Sequence, residues 1–393
     1  MVSKNKKKEL HLLQNKLHKI INNFLNGNAL NKPSKLLYPF VDKNHNDFKE
    51  ILPILKNLNN INEFEKSIKL IENNLHKKLL SSQTYAKILA TLHKEFYSSK
   101  KLDKNCKNNK SVLAKGISSY ESWINKINKK DLKYIRPLLN SRKKLLKATN
   151  LIKGFYVHGS LSTHDYIKGW SDVDTLLVTK RGVMNYSSKI LQLRKQIMTS
   201  SPFFYQIDPY QHHGIFIITE EEMNYYPQHY FPILLFKYST CLFGAQSLNF
   251  NIRKDNIERI KEFENILNQI KTISPKNEYE TKFFLSLFLL FPTLYLQAKE
   301  NFIYKRNSFE EIRKYIKKDF KLINKVSEIR TSWHKRPKTL TKILVKFPNP
   351  HIVRLYNKIN REKVCNNTKN LISKIKKSNL LKDIKIKELK WTI

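Results

Sequence analysis

The sequence predicts an α/β chain in which a small mixed β-sheet sits between two helical regions. Three observations predict this. Apolar residues recur at helical spacing through the first hundred residues, as in Leu10, Leu13, Leu17, Ile20 and Ile21. Short β-prone runs separated by turn residues are confined to the middle of the chain. Helical periodicity then returns from Ile257, in increasingly lysine-rich segments. With 393 residues the chain can bury a sizeable core. Three units are expected: a helical N-terminal domain over residues 1–105, a sheet-bearing domain over 112–250 and a helical, basic region over 251–393.

Charge follows the same division. Residues 1–150 hold 32 Lys and Arg against 11 Asp and Glu, a net of +21. Residues 151–300 hold 16 against 14, a net of +2, and residues 301–393 hold 26 against 7, a net of +19. Basic flanks suit a polyanionic partner such as RNA, and a lysine-rich solvated surface gives the same count. The nearly neutral middle suits a small-molecule partner. Cys106, Cys241 and Cys365 are far apart and in no metal spacing, which fits a reducing, cytoplasmic setting. The N-terminus does not read as a secretory signal. The longest apolar run, residues 283–298, is short for a membrane span and reads as a buried helix.

In chain order, helices are expected through residue 96, with Pro33, Pro39 and Pro53 as punctuation and no ligand spacing among His11, His18, His45, His76 and His93, which read as surface or half-buried. Residues 98–111 are polar and basic and read as a linker. Two helices are expected over 117–127 and 132–146, a strand over 155–157, a second over 173–178, and a helix over 183–198. Residues 203–207 and 214–219 read as strands. Glu220–Glu221–Glu222 reads as the acidic start of a helix, and 227–243 is an apolar stretch ending at Phe243–Gly244, where the family resemblance set out below implies the end of a helix. Helices follow over 257–273 and 279–299, the second kinked at Pro292. The tail is expected to be helical to residue 325 and again over 353–375. There Trp333, His334 and Phe347 break up the lysine runs.

The chemistry is concentrated in one stretch, FYVHGSLSTHDYIKGWSDVDTLLVT, residues 155–179. A β-prone run ends at Gly159–Ser160, where a glycine lets the backbone approach a ligand closely. A helix beginning there aims free N–H groups and a hydroxyl at an anion. Eleven residues on, Asp172 and Asp174 flank Val173 ahead of an apolar strand. Carboxylates two apart share a face, and two of them together call for a cation, with hard oxygen donors suiting Mg²⁺ or Mn²⁺. Other Asp-x-Asp chemistries fit less well. Haloacid-dehalogenase-type phosphatases place the motif after an apolar strand, whereas Lys168–Gly169–Trp170–Ser171 precedes it here. Glycosyltransferases need no upstream Gly–Ser.

This pattern of Gly–Ser, a spacer, Asp-x-Asp and an apolar strand resembles the DNA-polymerase-β-type nucleotidyltransferase superfamily. It looks most like the aminoglycoside and minimal nucleotidyltransferase branches, and poly(A)- and CCA-adding enzymes share nearly the same spacing. The resemblance implies an enzyme moving a nucleoside monophosphate, AMP for preference, from an NTP such as ATP to a hydroxyl or phosphate acceptor. Asp172 and Asp174 would hold Mg²⁺ (or Mn²⁺), and Gly159 and Ser160 would cradle the β- and γ-phosphates. A third acid is implied on the strand after the next helix. Asp208 is favoured, although Pro209 beside it suggests a turn, and Glu220 is the alternative. His213 could instead be the base, since imidazole transfers protons near neutral pH. A lysine in the loop before a later helix would steady the triphosphate. Lys305 matches it, with Arg306 as alternative. The implied acceptor is a small molecule. RNA, tRNA or protein acceptors are the alternative, and a non-catalytic nucleic-acid- or nucleotide-binding module is a further one.

Overall fold

The computed structural model describes residues 4–27, 41–42, 46–58, 62–76, 80–99, 102, 109–253, 257–316, 319–333, 343, 353, 356, 359 and 366–378. Pro33, Pro39, His45, Cys106, Cys365, His334, Phe347, most of the expected linker and much of the first half of the expected helix over 353–375 lie outside them.

Four helices come first: α1 (Lys4–Leu25), α2 (Asn46–Leu58), α3 (Glu65–Leu75) and α4 (Ser82–Tyr97). The short strands β1 (Val41–Asp42) and β2 (Leu80–Ser81) pair beside them. Next come β3 (Lys110–Ala114), β4 (Ser118–Ser119), α5 (Tyr120–Asn125) and α6 (Lys129–Leu145). The sheet proper adds β5 (Ile152–Val157), β6 (Thr175–Thr179), β7 (Phe216–Thr219) and β8 (Thr240–Gly244), in the order β4-β8-β5-β6-β7. Strand β5 runs antiparallel to β6 and β8, while β6 and β7 are parallel. A short helix α7 (Gly159–Thr163) follows β5, α8 (Ser187–Ser200) follows β6, and β9 (Leu248–Ile252) pairs with β3. The C-terminal bundle holds α9 (Ile257–Thr272), α10 (Glu278–Ala298), α11 (Lys305–Glu311), α12 (Lys321–Thr331) and α13 (Asn366–Lys377).

The central strands are apolar on both faces, so both faces are covered. Phe155, Val157, Leu177 and Ile217 join Leu17, Phe24 and Tyr85 of the N-terminal helices in one core. Tyr156, Leu176, Val178 and Ile218 pack on the other side against Phe236 and Phe250. The expected boundary near residue 105 therefore does not divide the core. A separate core holds the C-terminal helices and takes in Trp170 from the loop before β6. Helix α10 is long and apolar enough to cross a bilayer, yet it is largely buried within that bundle. It continues through Pro292.

Strand β7 is the edge of the sheet, and α1 closes it without adding a strand. Asn22 donates Nδ2 to the Ile217 carbonyl (2.9 Å) and accepts the Ile217 N–H (2.8 Å). One turn on, Asn26 does the same for Ile215, at 2.8 and 2.9 Å. Two amides at i and i+4 thus imitate a neighbouring strand and satisfy an open edge. The fit leaves no room at Gly214, where an added Cβ would lie 2.0 Å from Asn26 Oδ1.

Several sequence expectations are corrected. Residues 201–206 form a 3-10 turn, not a strand, because Pro202 opens it and the aromatic side chains pack inward. Residues 233–238 form another, and Phe243–Gly244 ends strand β8 rather than a helix. Strand β3 takes up the end of the expected linker. His11, His18 and His93 are buried, each held by a polar partner: Tyr225, Glu222 and Asn185. Glu222 starts no α-helix. It is fully buried, accepting the Thr219 N–H and pairing with His18.

Candidate metal and phosphate site

The site forms at the end of the sheet where β5 stops and β6 and β7 begin. Strand β5 runs out at Val157, and the backbone turns through His158 into α7. Gly159 has φ +67°, and a Cβ there would stand 2.5 Å from Asp174 Oδ2. Only glycine lets the turn sit this close to the carboxylate. The His158 N–H also donates to the Asp174 carbonyl at 2.9 Å, which fixes the two segments together. Helix α7 opens with Gly159 and Ser160, so its first N–H groups have no partner within the helix. The Trp123 indole supports the helix from behind by donating to the Leu161 carbonyl at 2.9 Å.

Asp172 and Asp174 lie in the loop entering β6, which starts at Thr175 rather than at 173. Their carboxylates converge with His213, and one donor atom from each residue lies within 4.8 Å of the others. His213 Nε2 stands 3.4 Å from Asp172 Oδ2 and 3.2 Å from Asp174 Oδ1. All three side chains are partly open to solvent. Two carboxylate oxygens and an imidazole nitrogen, accessible from outside, form a donor set that fits a divalent cation.

Two polar residues that sequence reasoning missed hold this arrangement. Gln211 is buried and clamps the middle of the motif. Its Oε1 accepts the Val173 N–H at 2.9 Å, and its Nε2 donates to the Val173 carbonyl at 3.1 Å and the His213 carbonyl at 3.1 Å. Lys282, the one Lys or Arg of the apolar helix α10, is buried and pairs with Asp208 at 2.5 Å. It also lies over the Trp170 ring at 5.7 Å. A lone charge inside an apolar helix is itself a signal of a buried partner, whereas nothing local marks Gln211.

The structure therefore separates the expected site residues. Gly159, Asp172, Asp174 and His213 come together, with Ser160 at the head of α7. Asp208 stays out of the cluster, sealed against Lys282. Glu220 faces elsewhere, bonded to Lys153 at 2.6 Å and to the Arg181 N–H at 2.9 Å. The adjacent histidines also part company: His212 packs edge-on against Tyr279 and Phe283 of α10. Lys305 begins α11 and feels the charges of Asp172 and Asp174. Tyr304 anchors that loop, its hydroxyl 2.8 Å from Thr163 Oγ1 and 3.2 Å from Asp165 Oδ1. Arg306 faces a neighbouring cavity of about 430 Å³, lined also by Trp123, Lys126, His164, Asp165 and Lys237.

Electrostatics follow from burial and neighbours. Burial alone would raise the Asp172 pKa, but the hydrogen bond and charge of His213, with Lys282 and Lys305 behind, hold it below the usual carboxylate range. Partial desolvation by the surrounding groups works against the charged His213 ring, and Asp172 and Asp174 overcome it and raise its pKa well above normal. Lys305 shifts the other way: desolvation lowers it, partly offset by Asp172 and Asp174. Burial pushes Asp208 up to about 6 against the pull of Lys282.

Compared with family models, curated proteins and solved structures, the chain matches none.

Proposed function

We propose that this protein is a divalent-metal-dependent nucleotidyltransferase that moves a nucleoside monophosphate, AMP for preference, from an NTP to a hydroxyl or phosphate acceptor. The observation that carries the reading is the convergence of Asp172, Asp174 and His213 at the turn where Gly159 opens α7. A carboxylate-lined cation site beside free backbone N–H groups suits an NTP with its metal. Asp172 and Asp174 hold the ion in this reading, with Mg²⁺ or Mn²⁺ the expected occupants. When bound, such an ion neutralises charge on the α-phosphate and acidifies the attacking hydroxyl.

The chain's own groups do the rest. Gly159 and Ser160 receive the β- and γ-phosphates at the head of α7. Lys305 offsets charge that builds on the leaving pyrophosphate. The bond from the acceptor oxygen to the α-phosphorus forms as the α–β bridging P–O bond breaks; pyrophosphate leaves, and the proton of a hydroxyl acceptor passes to the water that reaches the open cluster. Asp208, buried in its ion pair, has no part in proton transfer in this reading. The three cations lining the neighbouring cavity, Lys126, Lys237 and Arg306, suit an anionic ligand.

The acceptor is read as a small molecule, on the nearly neutral charge of the middle segment. The charge of the flanks favours a second reading, in which the acceptor is RNA, tRNA or protein. One experiment addresses both. The full chain is incubated with each of four α-³²P-NTPs and a divalent ion in a cell extract, which is then split into RNA, protein and small-molecule fractions. Label that depends on Asp172 and Asp174 establishes the chemistry, and its fraction gives the acceptor class. Absence of both labelled product and nucleotide binding would overturn the proposal. Nucleotide or nucleic-acid binding without pyrophosphate release would leave the binding module.

A further inference from the structure

We infer that His213 Nε2 is a third protein ligand of the metal held by Asp172 and Asp174, so that this site selects Mn²⁺ or a similar borderline transition ion over Mg²⁺. The inference rests on the reading above and goes beyond its choice of metal.

The geometry prepares the ring for ligation. His213 Nδ1 lies 3.0 Å from the Gly214 carbonyl, which can accept only an N–H; Gln211 Nε2 is further off at 3.4 Å, and its two hydrogens go to the Val173 and His213 carbonyls. In the neutral ring this leaves the lone pair on Nε2, the nitrogen that faces both carboxylates at 3.2 and 3.4 Å. An imidazole held by a carbonyl at one nitrogen, with the other turned toward the ion, is the usual state of a metal-binding histidine. Gln211 ties the backbone of residue 213 to that of residue 173, so the nitrogen and the two carboxylates keep their spacing. The sheet supplies the rest. Strands β6 and β7 pair in parallel from Leu176 with Phe216 onward, so the segments that lead into them, which carry Asp174 and His213, enter the sheet at the same end.

Donor chemistry gives the selectivity. Mg²⁺ takes oxygen ligands in a strict octahedron and gives up water reluctantly, whereas imidazole suits ions further along the transition series. One nitrogen among two carboxylates moves preference in that direction. It also assigns His213 to the metal rather than to abstraction of the acceptor proton, because one lone pair cannot serve both.

The test reads binding, not turnover. MnCl₂ is added to the full-length protein without nucleotide, and electron spin-echo modulation is recorded alongside calorimetric Mg²⁺ and Mn²⁺ titrations. Wild type should show ¹⁴N modulation from a coordinated imidazole, and His213→Asp should lose it. The ratio of Mg²⁺ to Mn²⁺ dissociation constants should fall by about tenfold or more in His213→Asp, in line with the cost of altering a metal's ligand surroundings. His213→Gln, which adds no charge, should lose the modulation too, and the wild-type spectrum decides even if neither variant folds. Bound Mn²⁺ without ¹⁴N coupling, in a site that Asp172→Asn/Asp174→Asn empties, would overturn the ligation and leave the carboxylate site standing. No divalent binding to wild type, with or without ATP, would overturn both.

Discussion

Two aspartate clusters border the same loop, and they are built in opposite ways. Asp208 is fully buried, with one fixed cation, Lys282, at 2.5 Å. Five residues on, His213 meets Asp172 and Asp174 in a cluster open to solvent, with no Lys or Arg in ion-pair contact among the described residues. A sealed pair neutralises its charge permanently and does structural work, tying the loop to α10. An open pair leaves its charge to be neutralised by something that comes and goes. Access to solvent, more than the presence of a carboxylate, separates the candidate site from its neighbour.

The strongest way to break this contrast is to neutralise the open pair. Asp172→Asn/Asp174→Asn should lower nucleotidyl transfer on the order of 10³-fold or more while leaving the melting temperature close to wild type, measured by label transfer and calorimetry. The sealed pair should respond the other way. Lys282→Met strands a buried carboxylate and should cost about 3–5 kcal/mol in denaturant unfolding, and adding Asp208→Asn should recover most of it. The folded-state pKa of Asp208, about 6, lies above its unfolded value, so the folded chain binds the extra proton. The Lys282→Met deficit should therefore shrink as pH falls from 7 toward 5. A stable Asp208→Asn/Lys282→Met protein without activity would return Asp208 to the chemistry.

Gly159→Ala tests how tightly the open site is held. Its Cβ would meet Asp174 Oδ2 at 2.5 Å, at a φ that alanine resists. Steady-state kinetics should show a loss of about 10²-fold, as expected for a displaced catalytic group. The mildest effect should come from a group sealed by neutrality. Burial, reinforced by Arg253, lowers His11 to about 3. It stays uncharged in the fold but protonates in the unfolded chain, so its contribution is present above pH 6.5 and is lost as pH falls toward 3. The slope is at most about 1.4 kcal/mol per pH unit. His11→Gln should flatten that part of the stability profile.

The parts legible in the sequence are those fixed by neighbours along the chain. Gly159–Ser160, Asp172-x-Asp174 and the apolar run after them mark a strand–turn–helix and an acidic loop without tertiary information. The helices over 257–272 and 278–298 follow from periodicity in the same way. What was illegible depends on partners far away. Residues 203–207 carry β propensity, and packing turned them into a 3-10 turn. Asp208 stands among polar residues in the sequence, as a site acid would, while the residue that neutralises it lies on α10. Gln211 looks like any loop glutamine until Val173 is seen bonded to both ends of its amide.

The asparagine closure of β7 sets an order of events during synthesis. Asn26 meets its partner Ile215 across 189 residues, and Asn22 meets Ile217 across 195. At roughly 5–20 residues per second, α1 leaves the ribosome on the order of ten to forty seconds before the strand it seals. During that interval the Asn22 and Asn26 amides stay without the strand they seal. Once made, the strand presents a bare edge until the helix returns. A chain shortened at its N-terminus to isolate the sheet would keep that edge open permanently, and its first difficulty would be solubility.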